Sequence, residues 1–341
     1  MPTMMPRILA AGLGVSAVAL AAGATYQAAA TRRDRRLIPG AGSHVDVGGR
    51  TLRVHTTGLA EQPGPTVVFE SGMATPLELW AWIQDGVGAF APTVSYDRAG
   101  IGRSAPGPLP RTAERSSDDL AAALDAVGAR PPYVLVAHSY GGLLVRHFAE
   151  RHPEQVAGLV LADVAHPEEL VRSQRQRVGL PFVEQYLRDS MWQSTIGMIR
   201  LNPYSDRRFR IEGLPEPARR AAKAAFSTRQ MWHGSYAEFV AWQTDVNAEV
   251  RDAKLPPQCR LYVLTAGATV TGDPVHLQLQ EELAQLSDDA VHEIVDGVEH
   301  IELVTHQEPA ARVVAAVRSV VQAVREQRPL HPADRQSEKD R

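Results

Sequence analysis

Tyr133 to Ala137 form an unbroken apolar run, the pattern of a strand buried on both faces. The run leads directly into His138-Ser139-Tyr140-Gly141-Gly142 and a helix-forming stretch. A serine on so sharp a strand-to-helix turn is lifted clear of the sheet. The helix N-terminus behind it can then stabilise developing negative charge. Such a turn needs small residues two before and two after the serine, and Ala137 and Gly141 occupy those places. The usual pattern is Gly-x-Ser-x-Gly; alanine at the first position is a small departure. The plainer reading is an ordinary turn with a capping serine. A hydroxyl is a poor nucleophile until a base takes its proton. Of the twelve histidines, His300 is the best candidate, because it lies in a loop just after a predicted strand. His138 adjoins the serine but is expected to point into the strand packing. His166 reads as a loop residue beside Pro167, and His276 and His292 fall in a helix and a strand. No metal-ligand spacing links them, and neither a metal nor an organic cofactor is expected.

The elements that must position Ser139 alternate in type. His44 to His55 reads as two strands about a Gly48-Gly49 turn. A strand over residues 65–70, a helix over 77–90 and a strand over 93–96 follow. A helix from Ser116 to Val127 is capped by Ser116 or Ser117, with Asp118 and Asp119 in its first turn. After the serine come a helix over 143–151 and a strand over 156–162. Residues from about 166 to 255 show helical spacing, several prolines and no obvious strand. A strand over 260–265, a helix over 276–286, a strand over 291–295 and a helix over 308–327 complete the series. The tail 328–341 is polar. Strands alternating with helices predict an α/β fold with a mostly parallel sheet covered on both faces. The core then comprises residues 43–165 and 256–327, and 166–255 is a helical lid.

These runs together resemble the α/β-hydrolase family, particularly its lid-bearing esterases and lipases, over about residues 43 to 327. Tyr96-Asp97-Arg98-Ala99-Gly100-Ile101-Gly102-Arg103-Ser104 is similar to a loop common in that family. Glu70-Ser71-Gly72-Met73 stands where the family usually has His-Gly. Gly297-Val298-Glu299-His300 stands where its catalytic histidine lies. The resemblance implies an eight-stranded sheet, Ser139 as nucleophile, His300 as base, and an acid between them in the chain. Two aspartates satisfy that order. Asp163 ends the strand after the serine turn, a variant location; Asp273 is nearer the commoner location but on a longer loop. Asp163 is preferred, because a strand end holds a side chain better than a long loop. The backbone N–H groups of Met73 and Tyr140 fit the family's oxyanion positions. Asp97 and Arg98 read as a structural ion pair bracing their loop, and Ser104 is read with the same caution. Trp192, Trp232 and Trp242, with Phe182, Phe226 and Phe239, serve mainly to pack the lid, some of them lining an acyl pocket.

Composition adds limits. An apolar fraction of 44% and a charged fraction of 22% are ordinary for a globular chain of 341 residues. A net charge of −3 lacks the basic excess of a nucleic-acid protein. The single cysteine, Cys259, reads as a small semi-buried residue at a strand start. From Ile8 to Ala30 there is no charged residue, and Arg32, Arg33, Arg35 and Arg36 follow. Residues 1–36 are therefore expected to be a membrane anchor. The alternative is a secretory signal cleaved near Ala28-Ala29-Ala30. Gly100-Ile-Gly-Arg-Ser-Ala105 and Gly12-Leu-Gly-Val-Ser-Ala17 match a dinucleotide fingerprint. Neither has the strand–turn–helix setting that a pyrophosphate needs.

The resulting expectation is a serine hydrolase that cleaves a carboxylic ester, a small-molecule substrate, through an acyl-enzyme. Thioester, amide or peracid chemistry on the same fold is the nearest rival, and a ligand receptor with slow hydrolysis is the non-enzyme reading. Dehalogenase or epoxide-hydrolase chemistry is disfavoured, because those relatives resemble each other in placing aspartate where Ser139 stands.

Overall fold

The computed structural model describes residues 4–38, 40–60 and 63–330, with backbone only for residues 4–17. Most of the polar tail, 331–341, therefore lies outside the described residues. Eight strands form one sheet: β1 (Ser43–Asp46), β2 (Thr51–Thr57), β3 (Thr66–Glu70), β4 (Thr93–Tyr96), β5 (Tyr133–His138), β6 (Val156–Ala162), β7 (Arg260–Ala266) and β8 (Ala290–Val295). Their spatial order is β1-β2-β4-β3-β5-β6-β7-β8. β1–β2 and β2–β4 pair antiparallel, and every later pairing is parallel.

The two-residue period of a strand sorts the apolar runs between two layers. Val68, Leu135, Ala137, Leu159, Leu161 and Val263 face helices α3 (Ala113–Ala126) and α4 (Gly141–Arg151). Their neighbours Val67, Phe69, Val134, Val136, Val160 and Leu264 face α2 (Ala81–Gly88) and the final helix, Gln307–Arg325. Burial on both faces explains why β3 and β5 read as unbroken apolar runs rather than as alternation.

Local chemistry moves several boundaries. α3 begins at Ala113, because the Thr112 side chain accepts from the Arg115 N–H and caps the helix. Ser116 and Ser117 are buried inside it instead. The predicted helix over 77–90 divides into a 3-10 turn, Leu77–Trp80, and α2. Residues 267–272, read as loop, form a helix that continues from the end of β7.

Between β6 and β7 the described elements are all helical. The longest are Gln174–Thr195, Glu216–Phe226 and Arg229–Ala241. Phe226, Trp232 and Phe239 are buried together with Leu79 and Ile101 of the core loops. Phe182 and Trp192 are exposed. The segment is tied to the sheet through Arg98. Its guanidinium donates to Glu70 on β3 at 2.7 Å and to Glu238 on the Arg229–Ala241 helix at 2.6 Å. It also donates to the carbonyls of Ser71 and Gly72. The expected Asp97–Arg98 pair is therefore replaced. Asp97 accepts from Arg53 at 2.7 Å and from the amides of Leu77 and Arg103. Adjacent residues on an extended loop point to opposite sides, so each found a distant partner. Ser104 is structural, bridging the Arg53 amide and the Asp97 carbonyl. Removing one member of a buried pair strands the other. Glu238→Leu should cost roughly 3 kcal/mol of stability, read as a fall in the urea midpoint.

The membrane-anchor expectation is not supported. Among the described residues no helix is long and apolar enough to cross a membrane. The side chains of residues 1–17, which hold the first half of the apolar run, lie outside the described residues. Helix α1 spans Met4–Leu37. Its later turns rest on the helical segment: a Cβ on Gly23 would lie 2.7 Å from the Ile196 carbonyl oxygen. Gln27 is buried and donates to the Ser227 carbonyl at 2.6 Å. Arg200 in turn binds Gln27, Thr31 and Asp34. Gln27, Thr31 and Asp34 of α1 are thus used in protein contacts.

Candidate active site

Ser139 follows β5 with φ 55, a left-handed conformation that costs a non-glycine residue strain. Two glycines permit the turn. A Cβ on Gly141 would lie 2.5 Å from the Glu70 carbonyl oxygen, and one on Gly142 would lie 2.3 Å from the Val164 Cβ. α4 can therefore start directly beneath the serine and against the ends of β3 and β6. Ser139 opens into a cavity of about 570 Å³. His300, Asp163, Met73 and Tyr140 line the same cavity. The five come from loops at the C-terminal ends of parallel strands, the end of an α/β sheet where crevices form.

Asp163 sits immediately after β6, is 1% exposed, and also has positive φ, 47. Its Oδ2 accepts from His300 Nδ1 at 2.6 Å and from the Thr269 hydroxyl at 3.2 Å. Its Oδ1 accepts from the Ala266 amide and from His276 Nε2, both at 2.9 Å. Burial opposes ionisation of this carboxyl. The hydrogen bonds from His276 and His300 outweigh it and hold Asp163 well below the usual carboxylate range. Asp273 is placed elsewhere. It caps the helix Pro274–Ala284 through the Val275 amide and accepts from the Ser173 hydroxyl. The sequence reading had the location of Asp163 but missed its second imidazole. His276 lies 113 residues away on a helix, and only its proximity to Asp273-Pro274 hinted that this helix starts near the site.

His138 does not simply point into the strand packing. Its ring lies under that of His300, centroids 4.4 Å apart, and its Nε2–H donates to the His300 carbonyl at 3.1 Å. Burial, with the neighbouring His300, lowers its pKa to about 3. The folded state thus keeps His138 neutral where the unfolded chain would protonate it. Stability should be full above pH 6.5 and fall as pH drops from there toward 3, by up to about 1.4 kcal/mol per unit. His138→Gln should flatten that part of a stability–pH curve measured by urea unfolding.

The remaining lining is mixed. Val164, Ala165 and Trp242 are apolar; Glu169, Arg175, Gln176 and Glu299 are polar. Trp242 is thus the aromatic from the helical segment that reaches the cavity. His166, Glu168 and Glu282 lie close enough to share a cation, yet Arg172 already pairs with both glutamates. Cys259 is buried, and burial pushes its thiol up to about 12, an inert structural thiol. Gly100 to Ala105 is a turn-rich loop with no helix after it, as a nucleotide fold would need.

Comparison with known proteins identifies the fold. Residues 65–242 match the alpha/beta hydrolase fold family. The chain belongs to that family. Among curated relatives, the uncharacterized protein YqjL of Bacillus subtilis is 35% identical over 139 residues, covering 37% of this chain and 53% of that one. Lipase LipV of Mycobacterium tuberculosis is 45% identical over 74 residues, 22% of this chain and 28% of the lipase. The chain thus spans about half or less of these relatives' lengths. A thermophilic esterase from Thermogutta terrifontis superposes with a TM-score of 0.57 at 18% identity, covering 84% of this chain and 99% of that one. At that identity the likeness is one of fold.

Proposed function

We propose that the protein hydrolyses a carboxylic ester through an acyl-enzyme. The observation that carries this reading is the Asp163–His300 hydrogen bond in the cavity at the strand ends that Ser139 also lines. With Nδ1–H committed to Asp163, His300 presents an unprotonated Nε2 as the base. Ser139 attacks the ester carbonyl as His300 takes its proton. The oxyanion is held by the backbone N–H groups of Met73 and Tyr140. His300 then passes the proton to the leaving alcohol, and the acyl group stays on Ser139. Water enters, His300 takes its proton, the acid leaves, and the proton returns to Ser139. Asp163 orients the imidazole and offsets its charge when protonated.

The test is release of p-nitrophenol from a series of p-nitrophenyl esters, acetyl to long acyl, by the full chain. Serine-dependent turnover supports the reading, and the optimal chain length measures the pocket. A folded protein that turns over none of the series would overturn it and favour a thioester, amide or receptor role for the same site.

A further inference from the structure

The cavity holds an ionisable group that the acyl-enzyme chemistry leaves unused. Glu169 begins a short helix just past β6 and is 6% exposed, yet it lines the cavity with Ser139, Asp163, His276 and His300. His276 Nε2 is committed to Asp163, and among the described residues no cation forms an ion pair with Glu169. A backbone N–H of His166 reaches its carboxylate. Burial raises its pKa to about 7, with His276 and His300 pulling the other way. A buried carboxyl without a full set of donors is costly, and an apolar residue would pack the same space more cheaply. Met73, Val164, Ala165 and Trp242 add apolar surface to the same cavity.

We propose that Glu169 is the substrate-recognition group of this cavity, accepting from a hydroxyl or ammonium carried close to the scissile carbonyl. The inference rests on the ester-hydrolase reading of Ser139 and narrows it to short hydroxyacyl or aminoacyl esters. A site that hydrogen-bonds a substrate discriminates against the analogue lacking that group, because its own polar atom is then left unpaired.

The experiment compares kcat/KM for p-nitrophenyl 3-hydroxybutanoate, 3-aminobutanoate and butanoate in the wild type, Glu169→Gln and Glu169→Leu. The wild type should prefer both substituted esters over butanoate by about tenfold or more. Glu169→Gln retains an acceptor oxygen but no charge, so it should keep the hydroxyl preference and lose the ammonium preference. Glu169→Leu should lose both. No preference in the wild type, or an unchanged preference in Glu169→Leu, overturns the proposal. A second arm measures binding of methyl 3-hydroxybutanoate and methyl butanoate to Ser139→Ala by tryptophan fluorescence, with and without Glu169→Leu. If no ester is hydrolysed but a Glu169-dependent binding preference persists, the esterase reading fails and the recognition site stands. If esters are hydrolysed without preference, the recognition site alone fails.

Discussion

Ser139→Ala should lower kcat on p-nitrophenyl esters on the order of 10⁵-fold, to the level that the oxyanion donors and binding alone provide. The size follows from chemistry: without the hydroxyl there is no acyl-enzyme, and water must attack directly. The substitution leaves the turn intact. Alanine meets the same left-handed strain that Ser139 meets at φ 55, and the glycines that admit α4 beneath it are untouched. Thermal unfolding should therefore stay close to wild type. Retained turnover in Ser139→Ala would remove Ser139 from the mechanism.

Asp163→Asn should lower kcat on the order of 10³- to 10⁴-fold with the cavity still formed. A carboxylate can only accept, so it obliges His300 to carry its proton on Nδ1. An asparagine amide donates, which favours a proton on Nε2 and removes the base that the proposed mechanism needs. The variant also disturbs a site that receives the Ala266 amide, Thr269 and His276, so a loss of stability should accompany it. Asp273→Asn is the control. Asparagine caps a helix about as well as aspartate, so its kcat should change by less than about twofold. Steady-state kinetics and thermal melts on the two variants separate the roles. An inactive Asp273→Asn beside an active Asp163→Asn would reverse the assignment.

How far these features are legible in the sequence depends on the range over which they are decided. The turn at Ser139 is local: five residues with an apolar run before and a helix after contain everything that shapes it. The strand order in the chain, and the burial of β5 on both faces, follow from period and composition in the same way. Even there α3 starts earlier than Ser116, because Thr112 rather than either serine caps it.

Other features are set by residues far apart in the chain. Asp163 and Asp273 were both admissible, and what separates them is a hydrogen bond to a residue 137 positions away from the first. His276 on the other carboxylate oxygen, Glu70 and Glu238 on Arg98, and Gln27 of α1 under Ser227 are likewise partners across the fold. The N-terminal run shows the limit of a one-dimensional reading. It is uncharged and long, as a membrane span would be, yet Gln27 of its described half, with Thr31 and Asp34 just beyond it, docks on the helical segment. The sequence by itself determined the alternation of elements and the serine turn, since backbone sterics and hydrophobic period act over a few residues. Tertiary structure alone decided which acid meets His300 and which charges pair, because a buried polar group is satisfied by whatever the packed chain brings within hydrogen-bond reach.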